Sequence, residues 1–455
     1  MNDRQFINGH SPAFPAGSPP EEDVDPVKWR IEKFPEVRAL RQRLKHIRES
    51  VSINPYFSVH ERVTNDTSVI GGQEYVNFAS YNYLGLSGDA DVTASVIEAL
   101  HRYGTSVSAS RLVSGEKPLH RELEREIADF LGCEDAIVMV GGHATNVSVI
   151  GHLFGPQDLV IHDRLAHDSI LAGIKLSGAK RRSFPHNDLD ALDKILRQSR
   201  GAARRVLIAV EGVYSMDGDL PPLEDIIAIK NRHRTLLLVD EAHSLGVLGK
   251  TGRGIGEHCG VRREDVDLWM GTLSKSLASC GGYIAGSAEL VQFLKYTNPG
   301  FVYSVGISPA NAGAALAALR KLRAHPELVA TLRNRSDLFR TLSKKHNIDT
   351  GFSGETAIIP CIVGNSVNCL LLARALEEQK INVQPILYPA VKENLTRLRF
   401  FVTTLHSEQQ ITAAVNALAE ALQEISPNLL KGSSDKEDWQ RTNSFHQGLS
   451  DAAVS

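Results

Sequence analysis

Cysteine is scarce in this chain. Five residues, Cys133, Cys259, Cys280, Cys361 and Cys369, are scattered over 455 positions, an odd number with no Cys-x-x-Cys pair. That argues against a disulfide framework and points to a reducing, cytoplasmic compartment. Long apolar runs are missing too, and none approaches the ~20 residues of a membrane helix. The first residues are acidic and proline-rich where a secretion signal would be basic and then apolar. Neither charge sign prevails: 50 Lys+Arg stand against 53 Asp+Glu, a net charge of -3. A protein built to hold nucleic acid would carry a basic field, so none is expected as partner. At 42% hydrophobic and 23% charged, the composition excludes wholesale disorder.

The pattern along the chain divides it. Residues 1–26 hold Pro12, Pro15, Pro19, Pro20 and Pro26 and few apolar groups, and read as a flexible arm. Residues 27–73 open with a basic stretch to residue 50, in which Val37, Leu40, Leu44 and Ile47 keep helical spacing. It reads as a surface helix packed by that stripe, or as a docking patch for an acidic partner. From 74 to 325 short apolar runs end in polar or glycine-rich turns. AIVMV (136–140), DLVIH (158–162), VLIAV (206–210) and LLLVD (236–240) are apolar nearly throughout. Such runs suit parallel strands covered on both faces, so the fold class is α/β with a mostly parallel central sheet. Residues 326–427 read as a helical connector and then a smaller α+β domain, with TAIIPCIV and INVQPIL strand-like. Residues 428–455 are a polar tail.

Ligands in such sheets gather at the carboxyl ends of strands, which is where chemistry is sought. Asp240 closes LLLVD and is followed by Glu241, Ala242 and His243. This acidic box resembles that of a nucleotide hydrolase. The nearby SLGVLGKT lacks the first glycine of a phosphate loop and lies on the wrong side of the box, which rejects that function. Gly141-Gly142-His143 follows AIVMV and precedes a helical stretch, a turn that lets backbone N–H groups meet an anion. Lys275 sits among small residues in GTLSKSLASCGG, where partial desolvation would free its amine for imine formation. His167 in DRLAHDSI suits stacking on a flat cofactor, and Ser215 in EGVYSMDGD suits hydrogen bonding at the same rim. Arg399 lies in a strand-like stretch of the smaller domain, and arginine is the residue for bidentate carboxylate binding.

In order along the chain, ASYNYLGLSG, SRLVSGEKPLHRELE, GGHATN, DRLAHDSI, EGVYSMDGDLPPL, VDEAHSLGVLGKTGRG and GTLSKS resemble the α-oxoamine synthase family of fold-type I pyridoxal phosphate enzymes. The resemblance runs from about Tyr75 to Leu422 and implies roles. Lys275 would bind the cofactor covalently, Asp240 would keep its ring nitrogen protonated, and His167 would stack on its face. Ser215 and His243 would hydrogen-bond the ring hydroxyl. The Gly142 and His143 backbone with Thr272 would hold the phosphate. Asn82 and Arg399 would bind the amino-acid carboxylate. Ser304 would reach a neighbouring subunit's phosphate, implying a homodimer with shared sites. The implied reaction condenses serine, alanine or glycine with an acyl thioester, on coenzyme A or an acyl carrier protein, with loss of carbon dioxide.

This sequence departs from the family at two places in the core. Val107, Ser108 and Ala109 stand where very small residues precede Ser-Arg, and Val305 stands where a threonine often helps bind phosphate. Transamination, aldol cleavage or a non-catalytic scaffold are the competing functions. The scaffold has no need of Lys275, Asp240, His167 and Ser215 together.

Overall fold

The apolar runs become inner strands. The structure, a computed structural model, describes residues 25–51, 55–388 and 390–430. It has two compact units, up to Tyr56 and from Phe57 onward. In the first, Asp25 caps a short turn at Pro26–Lys28, and a helix runs Pro35–Val51. Pro35 suits a first helical position, where its missing N–H costs nothing. The expected stripe is unevenly covered: Ile47 is buried, Val37 and Leu44 are half-buried, and Leu40 is exposed. The arm expected over 1–26 lies outside the described residues apart from Asp25 and Pro26, as does the tail beyond residue 430.

The second unit begins with a hairpin of β1 (Thr67–Ile70) and β2 (Gln73–Asn77). Seven strands then build the main sheet: β3 (Asp135–Met139), β4 (Leu159–Asp163), β5 (Lys180–Phe184), β6 (Val206–Glu211), β7 (Leu236–Asp240), β8 (Leu268–Thr272) and β9 (Gly282–Gly286). Their order is β3-β9-β8-β7-β6-β4-β5, and β9 alone runs against the others. Every residue of β4 and β6 is buried. Alternate side chains feed separate cores, with Val206, Ile208 and Val210 in one and Leu207 and Ala209 in the other. A sheet covered on both faces requires this, and it explains the absence of polar alternation. β5 has no apolar run because it is the edge, where exposed Lys180, Arg181 and Arg182 discourage pairing with another chain.

The later chain supplies β10 (Ile358–Ile362), β11 (Ile381–Asn382), β12 (Gln384–Ile386) and β13 (Arg397–Phe401). INVQPIL, expected as one strand, is two. β11 pairs in parallel with β2, Ile381 opposite Val76, whereas β12 pairs with β13 in the antiparallel sheet β10-β13-β12. The chain changes sheets at Val383. Helices Glu327–Lys345, Ser366–Glu378 and Glu408–Ile425 complete this smaller part. Among the described residues no helix is long and apolar enough to cross a membrane.

Two local features bear on the site. Ser108, in the stretch that departs from the family, has φ +58°, a left-handed conformation that suits glycine better. His186 lies between two carboxylates, its Nδ1 2.9 Å from Asp163 and its Nε2 2.6 Å from Asp219. Burial opposes the charged ring, but the two carboxylates outweigh it and push its pKa up to about 10.

Two outcomes are expected from equilibrium denaturation. Ser108→Gly stabilises the protein by about 0.5 kcal/mol, relief of the left-handed strain less the extra entropy of glycine. His186→Leu destabilises it by about 3 kcal/mol below pH 6.5, where the wild-type ring is charged in both states. Because the folded pKa is the raised one, that difference shrinks as the pH climbs from 6.5 through about 10. A loss that stays constant across this range would show that the ion pairs are not its source.

Candidate active site

The carboxyl ends of β6, β7 and β8 converge on one cleft. β7 ends with Asp240, 4% exposed, whose carboxylate takes hydrogen bonds from the Ala242 N–H at 2.9 Å and from Asn146 Nδ2 at 2.8 Å. In the adjacent strand Glu211 stands opposite Asp240 in register. Burial drives the Glu211 pKa well up, and Asp240 adds to the effect, so Glu211 keeps its proton. A buried carboxylate such as Asp240 needs a cationic partner.

Lys275 lies just past β8 and is half-buried. Burial lowers the pKa of its ammonium to about 8, against the pull of Asp240 and with help from Arg399. The amine is therefore available near neutral pH, as covalent chemistry requires. Its Nζ is 5.8 Å from the centre of the Tyr81 ring.

The helix Gly142–Leu153 starts at the end of β3 with no side chain capping its first N–H groups. A Cβ at Gly142 would lie 2.8 Å from Thr272 Oγ1, so the backbone there meets Thr272 directly. Bare N–H groups beside a hydroxyl make an anion cradle. The His143 side chain points elsewhere, 3.9 Å from the Asp168 carboxylate. His167 caps the next helix, with Nδ1 2.7 Å from Ser169 Oγ. Desolvation lowers its pKa, Asp240 opposes and Lys275 adds, leaving a neutral ring.

The remaining candidates divide. His243 is buried, and Tyr83 Oη lies 2.7 Å from its Nδ1. Burial, with Lys275 and Arg399, keeps its pKa well below the usual range. Arg399 donates from Nη1 to the Ser215 carbonyl at 2.9 Å, while its buried Nε has no partner. The amide of Asn82 is engaged by the protein, donating to Asn65 Oδ1, before the β1–β2 hairpin, at 2.7 Å and accepting from the Ser87 N–H in its own loop at 3.1 Å. Ser304 is half-buried and donates to the Val305 carbonyl at 3.2 Å.

Three residues here escaped sequence reasoning. Asn146 lies one helical turn beyond Gly142, a spacing that could have flagged it. Glu211 extends an apolar run by one polar position. Tyr83 gave no local signal. The set suits pyridoxal phosphate: a buried acid for a protonated ring nitrogen, an amine of lowered pKa, a neutral histidine and an uncapped helix start beside Thr272.

Residues 73–418 match the model of the aminotransferase class I and II family. The chain is 42% identical over 360 residues to the 8-amino-7-oxononanoate synthase of Geobacter sulfurreducens, covering 78% of this chain and 91% of that protein. Its structure is similar to serine palmitoyltransferase from S. paucimobilis, solved with bound PLP and myriocin, at TM-score 0.83 and 28% identity, covering 89% of this chain and 100% of that one. It is also similar to the 8-amino-7-oxononanoate synthase of Francisella tularensis, at TM-score 0.67 and 26% identity, covering 77% and 98%. Taken with the cleft at the sheet's carboxyl edge, these matches establish that the chain belongs to the aminotransferase class I and II family and, within it, to the pyridoxal-phosphate-dependent α-oxoamine synthases.

Proposed function

We propose how this chain's residues carry out the family's reaction, the condensation of an α-amino acid with an acyl thioester. The observation that carries the assignment is Lys275, an amine with a pKa lowered to about 8 beside the buried Asp240. When bound, the cofactor supplies an electron sink for the pair left on the substrate Cα. Asp240, oriented by Asn146, would keep the ring nitrogen protonated. His167 would stack on the ring, and Ser215 and neutral His243 would hydrogen-bond its hydroxyl. The Gly142 and His143 N–H groups and Thr272 would hold the phosphate.

Lys275 both anchors the cofactor and takes the Cα proton of the amino acid, a task suited to an amine titrating near neutrality. Arg399 receives the substrate carboxylate: Ser215 occupies its Nη1, and its buried, unpaired Nε faces the need for an anion. Asn82 shapes the neighbouring loop and borders the same carboxylate. Cα then bonds to the acyl carbon, thiol departs, and carbon dioxide is lost to leave an α-amino ketone. Glycine, L-alanine and L-serine are the substrates to compare.

A homodimer is part of this proposal. Tyr303 is 86% exposed and Val305 49% exposed beside Ser304, an apolar rim suited to cover by a second copy that would receive Ser304 at its phosphate site. The acyl donor rides on an acidic carrier protein in a second proposal, favoured by the helix Pro35–Val51. That helix carries Arg38, Arg41, Arg43, Lys45 and Arg48 against Glu36 and Glu49.

The test combines the purified protein, pyridoxal phosphate, each amino acid in turn and an acyl thioester. Free thiol and an α-amino ketone should form together; a keto acid or aldehyde without thiol would replace condensation by transamination or aldol cleavage. Lys275→Ala should abolish turnover, and Asp240→Asn should lower kcat by roughly 10²–10³-fold. For the carrier, Lys45→Glu with Arg48→Glu should raise KM for a carrier-bound donor about tenfold while leaving a coenzyme A donor unaffected. Equal KM values for wild type and variant would remove the carrier from the proposal.

A further inference from the structure

The loop at 212–220, which carries Ser215, is fastened on two sides. From the main sheet, His186 holds Asp219, and Asn187 Nδ2 donates to the Leu220 carbonyl at 3.0 Å. From the smaller part, Thr356 Oγ1 donates to the Gly218 carbonyl at 2.8 Å. Gly218 has φ +73°, and a Cβ there would lie 2.4 Å from the Ile358 carbonyl, so β10 presses directly on the loop. Two arginines of β13 complete the joint. Arg397 and Arg399 are two apart on a strand and therefore face the same way. Arg399 takes the Ser215 carbonyl, and Arg397 takes the Met216 carbonyl and the Asp217 carboxylate.

The two are not equivalent. Arg397 is 3% exposed, and its charge is matched by Asp217. Its Nε is also satisfied, by the Leu395 carbonyl at 2.9 Å. Among the described residues Arg399 has no carboxylate partner: it meets a carbonyl, the Met216 sulfur at 3.4 Å and the Phe401 ring at 4.7 Å. One charge is therefore spent inside the protein, and the other is left over at the cleft. Without Asp217, two like charges would face one loop and push Arg399 from its place.

We propose that Arg397 is a positioning residue for amino-acid recognition, its buried pair with Asp217 fixing where Arg399 presents its free edge to the substrate carboxylate. This rests on the assignment of Arg399 as the carboxylate ligand. Misplacing a bidentate ligand by a fraction of an ångström weakens the interaction it forms while leaving remote chemistry intact.

The experiment uses the holoenzyme, titrated with glycine, L-alanine and L-serine while the visible absorbance of bound cofactor is followed. Steady-state kinetics and thermal melting run in parallel, on wild type, Arg397→Met, Arg397→Lys, the near-isosteric Asp217→Asn and the control Arg399→Lys. Arg397→Met and Asp217→Asn should raise Kd and KM for the amino acid about tenfold. kcat, KM for the thioester and affinity for pyridoxal phosphate should stay within about twofold, and Arg397→Lys should recover part of the loss. If Arg397→Met fails to fold, Asp217→Asn carries the test. An unchanged amino-acid Kd in folded variants overturns the proposal. So does a loss of cofactor affinity and melting temperature without selective loss of amino-acid binding, which would make the pair merely structural. If Arg399→Lys leaves amino-acid Kd unchanged, the carboxylate assignment itself fails, and the proposal falls with it. A rise for Arg399→Lys alone refutes only the role of Arg397.

Discussion

A carboxylate buried at the end of a strand governs this site. Asp240 sits at the buried end of β7, 4% exposed, and hydrogen bonds and a nearby cation make that burial tolerable. Asn146 and the Ala242 N–H supply the first. Lys275 supplies part of the second, and the same burial that isolates Asp240 weakens the lysine's hold on its proton. Glu211 beside them stays neutral because burial disfavours its charged form and the neighbouring Asp240 adds to the effect.

The surroundings of Arg399 follow a different logic. They come from the smaller part of the molecule and from the β6 loop, fastened to each other by buried polar groups. Preorganised polar groups stabilise developing charge more than mobile ones, because no reorganisation is needed when the reaction occurs. The Asp217–Arg397 pair contributes little to net stability if its desolvation cancels its attraction. Its value lies in geometry.

Much of the main sheet was legible in the sequence, because burial on both faces leaves apolar runs with polar ends. β7 spans the same residues in sequence and structure, and β3 and β4 are displaced by one residue. The edge strand β5 and the glycine-bounded β9 carry no such run, and neither does the β1–β2 hairpin. INVQPIL looked like one strand because periodicity cannot tell which partner each half will find. The site was legible in type rather than in partnership. Lys275, Asp240 and His243 announced themselves by their surroundings, whereas Tyr83 meets His243 across 160 positions and Asn146 meets Asp240 across 94. No local pattern encodes such distances. Asn82 was anticipated at the substrate, and its amide is engaged by Asn65 and by the Ser87 N–H.

The short pairing of β11 with β2 joins Ile381 to Val76. On the ribosome the hairpin emerges early and must wait for some three hundred further residues before its third strand exists. Closing so long a loop is slow, and an unpaired edge is exposed meanwhile. The main sheet, whose strands lie closer together in sequence, does not share that delay. A nascent chain therefore acquires Lys275 and Asp240 well before it acquires Arg399, and the joint between the β6 loop and β13 closes only as synthesis nears completion.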